Sequence, residues 1–322
     1  MKKLFRHIIF RVSSDLKFGL GHINRCLELR KHLPNKCTWL LDDKFPKYLI
    51  KYINSNDKII LEKNNFSTEI LIYEMEKNIN AISIIDGYNF DFKNLEKFNE
   101  RIIFFSDNMI EPKVRLIINP QPGALPKKGV LAGVKYLIID QSFLKEKKVE
   151  KRFNVNFPLP VLISFGGVDK LNLTNKVAKS ILNDRFLKDI LLPTCLIPSG
   201  FKHLDTIIKL KKSHKSLTVL RGVKNIGQLT GQFKIAIGGA GISQSERILA
   251  GMATLLIPQN KHHEPIVKEW EKIGCAIACS TDQKKIITSL KKMISRNMFL
   301  VKSIIKNGHS MVDGNGVKRV VE

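Results

Sequence analysis

Acidic residues are scarce in this chain of 322 residues: Asp and Glu number 29 against 54 Lys and Arg, a formal charge of +25. Such an excess suits an anionic partner, whether nucleic acid, an acidic membrane surface or a phosphorylated substrate. The lysines are scattered along the whole chain, however, and no basic block is interleaved with aromatics. Most of the charge therefore reads as solvated surface, and no specific nucleic-acid partner is expected. Cysteine is sparse as well. Cys26, Cys37, Cys195, Cys275 and Cys279 are odd in number and form no C-x-x-C pair, which argues against a disulfide framework and a zinc site. Reduced thiols in a cytoplasmic protein are the expectation. No apolar run approaches the length of a membrane-spanning helix. The opening MKKLFRHIIF begins like a signal peptide, but Arg6, His7 and Arg11 cut its apolar stretch short, and it reads as a first strand. Also missing are G-x-S-x-G, H-E-x-x-H and a Walker loop.

What is present is alternation. Short apolar runs, Ile8 to Val12, Cys37 to Leu41, Lys58 to Leu61, Ala81 to Ile85, Arg101 to Phe105 and Arg115 to Ile118, read as strands. The stretch His22 to His32 reads as a helix that Pro34 stops. A second series starts near Pro160, with strands at Val161 to Ser164, Thr194 to Pro198, Leu217 to Leu220, Lys234 to Ile237 and Thr254 to Pro258. Helices are expected at Leu173 to Ile181 and Ile242 to Ala250, and the tail from Asp282 reads as helical to about Asn307. Strands alternating with helices imply βαβ units and mostly parallel sheets. The class predicted is α/β, with two doubly wound Rossmann-type domains. They span 1–150 and 156–322, joined through the run Lys145, Lys147, Lys148, Lys151, Arg152, with the last helix packing back on the first domain. A ligand is expected where the carboxyl ends of the two sheets face each other.

Four constellations could carry chemistry. The first, Gly19-Leu20-Gly21-His22, follows the first strand and opens the first helix. Its glycines permit a tight loop, and a helix start offers free N–H groups to an anion. A neutral His22 there could take a proton from water, as a general base must; a His packed at a domain surface fits the same spacing. Arg25, one turn on, could meet a phosphate or pair with Glu28. The second is Gly238-Gly239-Ala240-Gly241-Ile242-Ser243-Gln244-Ser245-Glu246, again strand, glycine loop, helix. Such a loop can cradle a diphosphate. Glu246 would reach ribose hydroxyls, but Ser243 and Glu246 also stand at the S-x-x-E spacing of a capping box, and the spacing alone favours the cap. The third, His262-His263-Glu264-Pro265, suggests polar substrate contacts at a helix start; adjacent side chains rarely chelate one ion, so no metal is expected. The fourth comprises Asp86-Gly87-Tyr88, Asp107 and Gly166-Gly167-Val168-Asp169, each beyond a strand, where turns and caps are the commoner roles.

Together these residues resemble a known family. Gly19-Leu20-Gly21-His22-Ile23-Asn24-Arg25 is similar to the G-x-G-H-x-x-R signature of the UDP-sugar hydrolases of pseudaminic acid biosynthesis, which act on UDP-2,4-diacetamido-2,4,6-trideoxy-β-L-altropyranose. Asp86-Gly87-Tyr88, Gly133-x-x-Tyr136 and Ser164 to Asp169 resemble further motifs in the same order, and Gly239 to Glu246 resembles the nucleotide loop of the N-acetylglucosaminyltransferase of peptidoglycan synthesis. The resemblance implies a GT-B fold and inverting hydrolysis without metal or other cofactor. His22 would be the base, with Gly19, Gly21, Arg25 and Tyr88 on the sugar side. Gly166, Gly167, Gly238, Gly239, Ala240, Gly241, Ser245 and Glu246 would hold UDP, with His262, His263 and Glu264 beside them. The chain departs from the family at His262-His263, at Asp140 where an Arg is usual, and at Gly87 where a His is frequent. A monomer or weak homo-oligomer is expected. Two other readings stand beside it: an inverting glycosyltransferase, and a non-catalytic nucleotide- or polyanion-binding protein. A lipid-linked acceptor would call for an exposed apolar patch with basic flanks on the first domain; basic residues are there, but no clear apolar patch is legible.

Overall fold

The computed structural model describes residues 6–14, 20–34, 36–63, 68–87, 90–107, 112–143, 157–167, 169–223 and 226–322. The expected Gly19 and Tyr88, and the run Lys145 to Arg152, lie outside the described residues.

In chain order the elements are β1 (His7–Val12), α1 (Gly21–Arg30), β2 (Lys36–Asp42), β3 (Lys58–Glu62), α2 (Glu69–Lys77), β4 (Ala81–Asp86), β5 (Ile102–Phe105), β6 (Leu116–Asn119), β7 (Val130–Ala132), β8 (Leu159–Ser164), α3 (Leu173–Asn183), β9 (Leu191–Ile197), α4 (Leu204–Ser213), β10 (Thr218–Arg221), β11 (Ile235–Gly238), α5 (Ile242–Leu249), β12 (Ala253–Leu256), α6 (His263–Lys272), β13 (Ile277–Ala278), α7 (Gln283–Ile294), α8 (Phe299–Met311) and α9 (Gly316–Val321), with one-turn and 3-10 segments between them. Every apolar run predicted as a strand is one. The central strands are apolar almost throughout because helices cover both faces of a parallel sheet; all six residues of β4 are buried. Beyond the prediction lie β7 and β13, three and two residues long, too short for any periodicity. The tail is not one helical stretch. It breaks after α7, where Asn297 and Met298 take left-handed φ of 52° and 58°, before α8 and α9 follow.

The chain forms two units. One is Met1–Ile139 with Gly314–Glu322; the other is Asp140–Asp313. The division thus falls ahead of the linker near 145–160 that composition suggests. In the first unit seven parallel strands run in the order β3-β2-β1-β4-β5-β6-β7, and in the second six run β10-β9-β8-β11-β12-β13. Each sheet starts in its middle, builds outward to one edge, then crosses back to the other side of its first strand. Both thus have one switch point, between β1 and β4 and between β8 and β11, where two connections leave in opposite directions and a crevice opens beyond the carboxyl ends.

Two apolar layers sandwich the first sheet. One gathers Phe10, Ile23, Leu29, Trp39 and Leu41 with Val317, Val320 and Val321 of α9. The other joins Ile9, Leu40 and Phe104 to Leu71 and Met75 of α2. Phe10 and Trp39 stack at 4.3 Å on neighbouring strands. The largest cluster of the second unit joins β8, β9, β11 and β12 to α3, α7 and α8 through Val161, Ile163, Val177, Ile235, Leu290 and Val301.

Candidate active site

At the switch point of the first unit, β1 and β4 lie in register with Val12 opposite Asp86. The chain leaves β1 through Ser13 and Ser14. Asp42, at the end of β2, receives the Ser14 N–H at 2.6 Å and its hydroxyl at 3.2 Å, which fixes the exit direction. α1 then begins at Gly21 with Leu20 as N-cap and no side-chain cap, so His22 stands in its uncapped first turn. β4 ends on Asp86 and β5 runs into Asp107, so three successive central strands converge on one spot.

There the side chains form one network. His22 Nδ1 lies 2.7 Å from Asp86 Oδ1. Arg25, three residues on and thus on the same helical face, donates from Nε to Asp86 Oδ2 at 2.8 Å and from Nη2 to Asp86 Oδ1 at 2.5 Å. Its Nη1 and Nη2 reach Asp107 at 2.9 and 3.0 Å. Gln121 donates to Asp107 at 3.3 Å, the Cys26 thiol to Asp86 at 3.5 Å, and the guanidinium lies 4.6 Å from the centre of the Phe105 ring. Burial alone would raise the Asp86 carboxyl, but Arg25 and His22 outweigh it and hold the group well below the usual carboxylate range. Burial likewise works against the charge of Arg25, and Asp107 and Asp86 overcome it. The Cys26 thiol is pushed up by burial and then by Asp86, so it stays protonated.

These charges fix the imidazole tautomer. Asp86 is ionised and can only accept, so Nδ1 carries the proton that points at it and Nε2 is the nitrogen left for the substrate side. The approach of Arg25 Nη2 to the same Nδ1, at 3.4 Å, joins two donors and is a packing contact. Two carboxylates face one guanidinium, so the cluster holds one negative charge before the ring is counted. A proton arriving on Nε2 would be balanced by it. The ring is enclosed, at 4% exposure. The ligand atoms of His22, Asp86 and Asp107 lie within 4.8 Å of one another, a spacing that suits a metal ion. Arg25 already places a cation against the same oxygens.

The sequence offered Arg25 to a phosphate or to Glu28, and the structure corrects both. Its fork is taken up by Asp86 and Asp107, it is almost fully buried, and Glu28 pairs instead with Lys31 at 2.6 Å. Asp86 and Asp107, site candidates from the sequence at positions where turns and caps are commoner, are the centre of the network. Asp169 does follow that commoner role: it caps α3 by accepting the N–H groups of Leu173 and Thr174, each at 2.8 Å.

The switch point of the second unit is built from backbone. Ser164, at the end of β8, pairs with Gly238, at the end of β11. A Cβ at Gly238 would run into the Ser164 carbonyl and the Arg247 guanidinium, and one at Gly239 into the Gln259 side chain. Packing against backbone demands the first glycine, whereas the second meets only the end of a flexible side chain. Gly166 has a left-handed φ of 77°, and Gly166, Gly167 and Gly241 face open space, with nothing within 4 Å of an added Cβ. Arg247, buried in α5, reaches back to the Gly239 carbonyl and to the Ser243 hydroxyl, bracing the loop from beneath. Burial lowers this guanidinium to about 10. Gln259, after β12, donates to the Phe165 carbonyl at 3.0 Å and ties a third loop to the first two. Nothing in the sequence singles out Arg247 or Gln259, since their role is to hold other loops.

The capping box is absent. α5 starts after Gly241, an N-cap with extended backbone and no side-chain bond, and Ser243 lies inside the helix. Glu246 is therefore not a cap. It is half-buried and, among the described residues, its carboxyl has no hydrogen-bond partner; burial raises that carboxyl to about 7, with Arg247 opposing and Asp140 adding. Ala240 and Ser245 are buried, and the Ser245 hydroxyl is enclosed without a described partner. His262 and Glu264 are exposed around the first turn of α6, while His263 is half-buried and kept neutral by burial and by His262. Glu264 also lines a groove of about 610 Å³ between α6 and α7, with Lys268, Lys284 and Lys285.

Two doubly wound parallel-sheet units, each with its crevice at a switch point, define the GT-B fold. The crystal structure of Acinetobacter baumannii MurG matches with a TM-score of 0.71 at 13% identity, over 98% of both chains. WaaG, a glycosyltransferase involved in lipopolysaccharide biosynthesis, matches at 0.61 and 9% identity, over 97% of this chain and 98% of that one. The UDP complex of S. aureus MnaA matches at 0.65 and 12% identity, over 98% and 95%. In sequence, the uncharacterized protein MJ1062 of Methanocaldococcus jannaschii is 28% identical over 272 residues, 77% of this chain and 54% of its own length. The chain thus spans about half the length of this curated relative. No family model matches. No helix among the described residues is long and apolar enough to cross a membrane.

Proposed function

We propose that this chain is an enzyme acting on a UDP-activated sugar, and that it hydrolyses a UDP-linked diacetamido-trideoxy sugar with inversion at the anomeric carbon. The observation that carries the proposal is the His22–Asp86 contact at 2.7 Å at the switch point of the first unit. Fold likeness to MnaA, whose structure contains UDP, supports the nucleotide half.

In this reading the open glycines Gly166, Gly167 and Gly241 and the amides at the start of α5 receive the diphosphate, where free N–H groups and the helix dipole favour negative charge. Glu246 accepts hydrogen bonds from the ribose hydroxyls. His22 Nε2 takes a proton from water as the water oxygen bonds to the anomeric carbon. The bond from that carbon to the β-phosphate oxygen breaks on the opposite face, its electron pair leaves with UDP, and the sugar configuration inverts. Asp86 holds the imidazolium formed, and Arg25 and Asp107 hold Asp86. Tyr88 and Gly19 belong to the sugar side, and His262 and His263 lie one loop from the diphosphate.

Likeness to WaaG favours a second reading, in which a hydroxyl of an acceptor replaces water and His22 deprotonates that hydroxyl. The test is to incubate the protein with a panel of UDP-sugars and no acceptor, and to assay UDP. Stoichiometric UDP and free sugar of inverted configuration support hydrolysis. UDP that appears only when a hydroxyl acceptor is added supports transfer. A protein that binds none of the panel refutes both.

A further inference from the structure

The connection from β2 to β3 carries no α-helix. A 3-10 segment, Lys47–Tyr52, occupies it, and only Leu49, with Phe45 and Ile53 on either side, turns into the core. The rest faces outward. Tyr48 is 59% exposed, Tyr52 56% and Ile50 41%. Leu61, on the edge strand β3, is 45% exposed. It stands opposite Leu41 in the register and so shares the sheet face over which this segment packs. Four large apolar side chains thus stand in water on one flank of the first unit, whereas a soluble surface tolerates such residues mainly as scattered singles.

Their setting is mainly basic, with exposed Asp43 at its edge. Lys44, Lys47 and Lys51 are exposed among them, Lys63 follows Leu61, and from Lys44 to Asn56 there is no carboxylate. The next one, Asp57, is turned inward to Arg30 at 2.7 Å and to the Trp39 indole at 3.0 Å. Those bonds, with Leu49 and Ile53 in the core, fix the segment as a platform rather than a loose loop. Tyrosine suits a membrane–water boundary, with an apolar ring and a polar tip, and lysine stems lie along apolar surface while their ammonium groups stay in water. Near an anionic bilayer each lysine adds to the attraction.

We propose that the face formed by Lys44 to Tyr52 and Leu61 docks the protein on an anionic lipid membrane. The tyrosines and aliphatic side chains enter the interface, and Lys44, Lys47, Lys51 and Lys63 meet acidic headgroups. The proposal does not rest on the UDP-sugar reading, because docking is measured without substrate. It supplies the apolar patch that the sequence does not reveal, since Tyr48, Ile50 and Tyr52 are interspersed with Lys47, Leu49 and Lys51 and match no amphipathic template.

The test is co-sedimentation of the full chain with vesicles of phosphatidylglycerol and phosphatidylcholine in equal parts, and with phosphatidylcholine alone. The wild type is expected to bind the first and not the second, and to be released by salt. The variant Y48S/I50S/Y52S and, separately, K44E/K47E/K51E are each expected to weaken binding by about tenfold or more. K209E/K212E/K215E removes as many exposed lysines from the second unit and is expected to bind within about threefold of wild type. The proposal is overturned if that control loses as much as the patch lysines, if the serine variant binds as tightly as wild type, or if the wild type ignores anionic vesicles. It is also overturned if the patch variants abolish binding of polyuridylate or self-association while vesicle binding stays unchanged. The two patch variants alter different chemistry, so a folding defect in one leaves the other to decide.

Discussion

The two sheets share one strand order, yet their switch points are furnished in opposite ways. In the first unit the crevice is packed with charge: one imidazole, one guanidinium and two carboxylates, each bonded to another within about 3 Å. In the second it is lined with glycine, and Gly166, Gly167 and Gly241 face open space. A crowded, paired cluster holds groups in fixed geometry and fixed protonation, as proton transfer requires. An open glycine loop admits a ligand to the backbone, as diphosphate binding requires. On the proposed reading one topology carries a device for chemistry and a device for binding, and changes in either should leave separable signatures.

The most severe expected change is Arg25→Met, which leaves Asp86 and Asp107 buried without their counter-ion. A loss of about 3–5 kcal/mol of stability is expected, read by denaturant unfolding. A smaller loss would mean that the carboxylates are better solvated than their burial indicates. The same network sets an acid response. The folded Asp86 holds its proton less tightly than the unfolded chain, so its contribution is present above the ordinary carboxylate range and fades as pH falls toward the depressed folded value. His22→Asn should lower turnover by on the order of 10³-fold at unchanged fold, since a positioned base contributes about that much. Turnover persisting within a few-fold would make the network a structural knot, a role that the enclosure of the ring also fits. Asp86→Asn should cost on the order of 10²-fold in turnover by freeing the imidazole orientation.

On the glycine side, two substitutions separate packing from binding. Gly238→Ala drives a methyl into the Ser164 carbonyl and Arg247 and should destabilise by about 1–3 kcal/mol. Gly241→Ala meets nothing and should fold normally, yet weaken UDP by about tenfold, read by calorimetry. Smallest is a pH effect. Glu246 is raised to about 7, and a ribose hydroxyl bonds best to the ionised form, so UDP affinity should rise as pH climbs through that value. Glu246→Gln should flatten the rise. A profile unchanged by Glu246→Gln would remove Glu246 from the ribose.

Strand order was legible in the sequence because each buried strand is a contiguous apolar run, as Ala81–Asp86 shows. His22 and the glycine loops were legible because the residues of each motif are contiguous in the chain. The network was not. Asp86 lies 64 residues from His22 and Asp107 82 from Arg25, and only the crossover of β4 and β5 beside β1 brings them together. Local spacing also misled where tertiary contacts decide. Ser243 and Glu246 match a capping box, but Arg247 takes the Ser243 hydroxyl and the helix starts two residues earlier than that box requires, after Gly241. The exposed tyrosines escaped notice for the same reason, since the fate of a 3-10 segment depends on what packs beneath it.

The division of labour between the two crevices is tested most directly by titrating UDP into His22→Asn and Gly241→Ala beside the wild type. The account predicts that His22→Asn binds UDP within about twofold of wild type although its turnover is gone, while Gly241→Ala binds about tenfold more weakly. A His22→Asn protein that loses UDP affinity in step with turnover, or a Gly241→Ala protein that keeps it, would contradict that division.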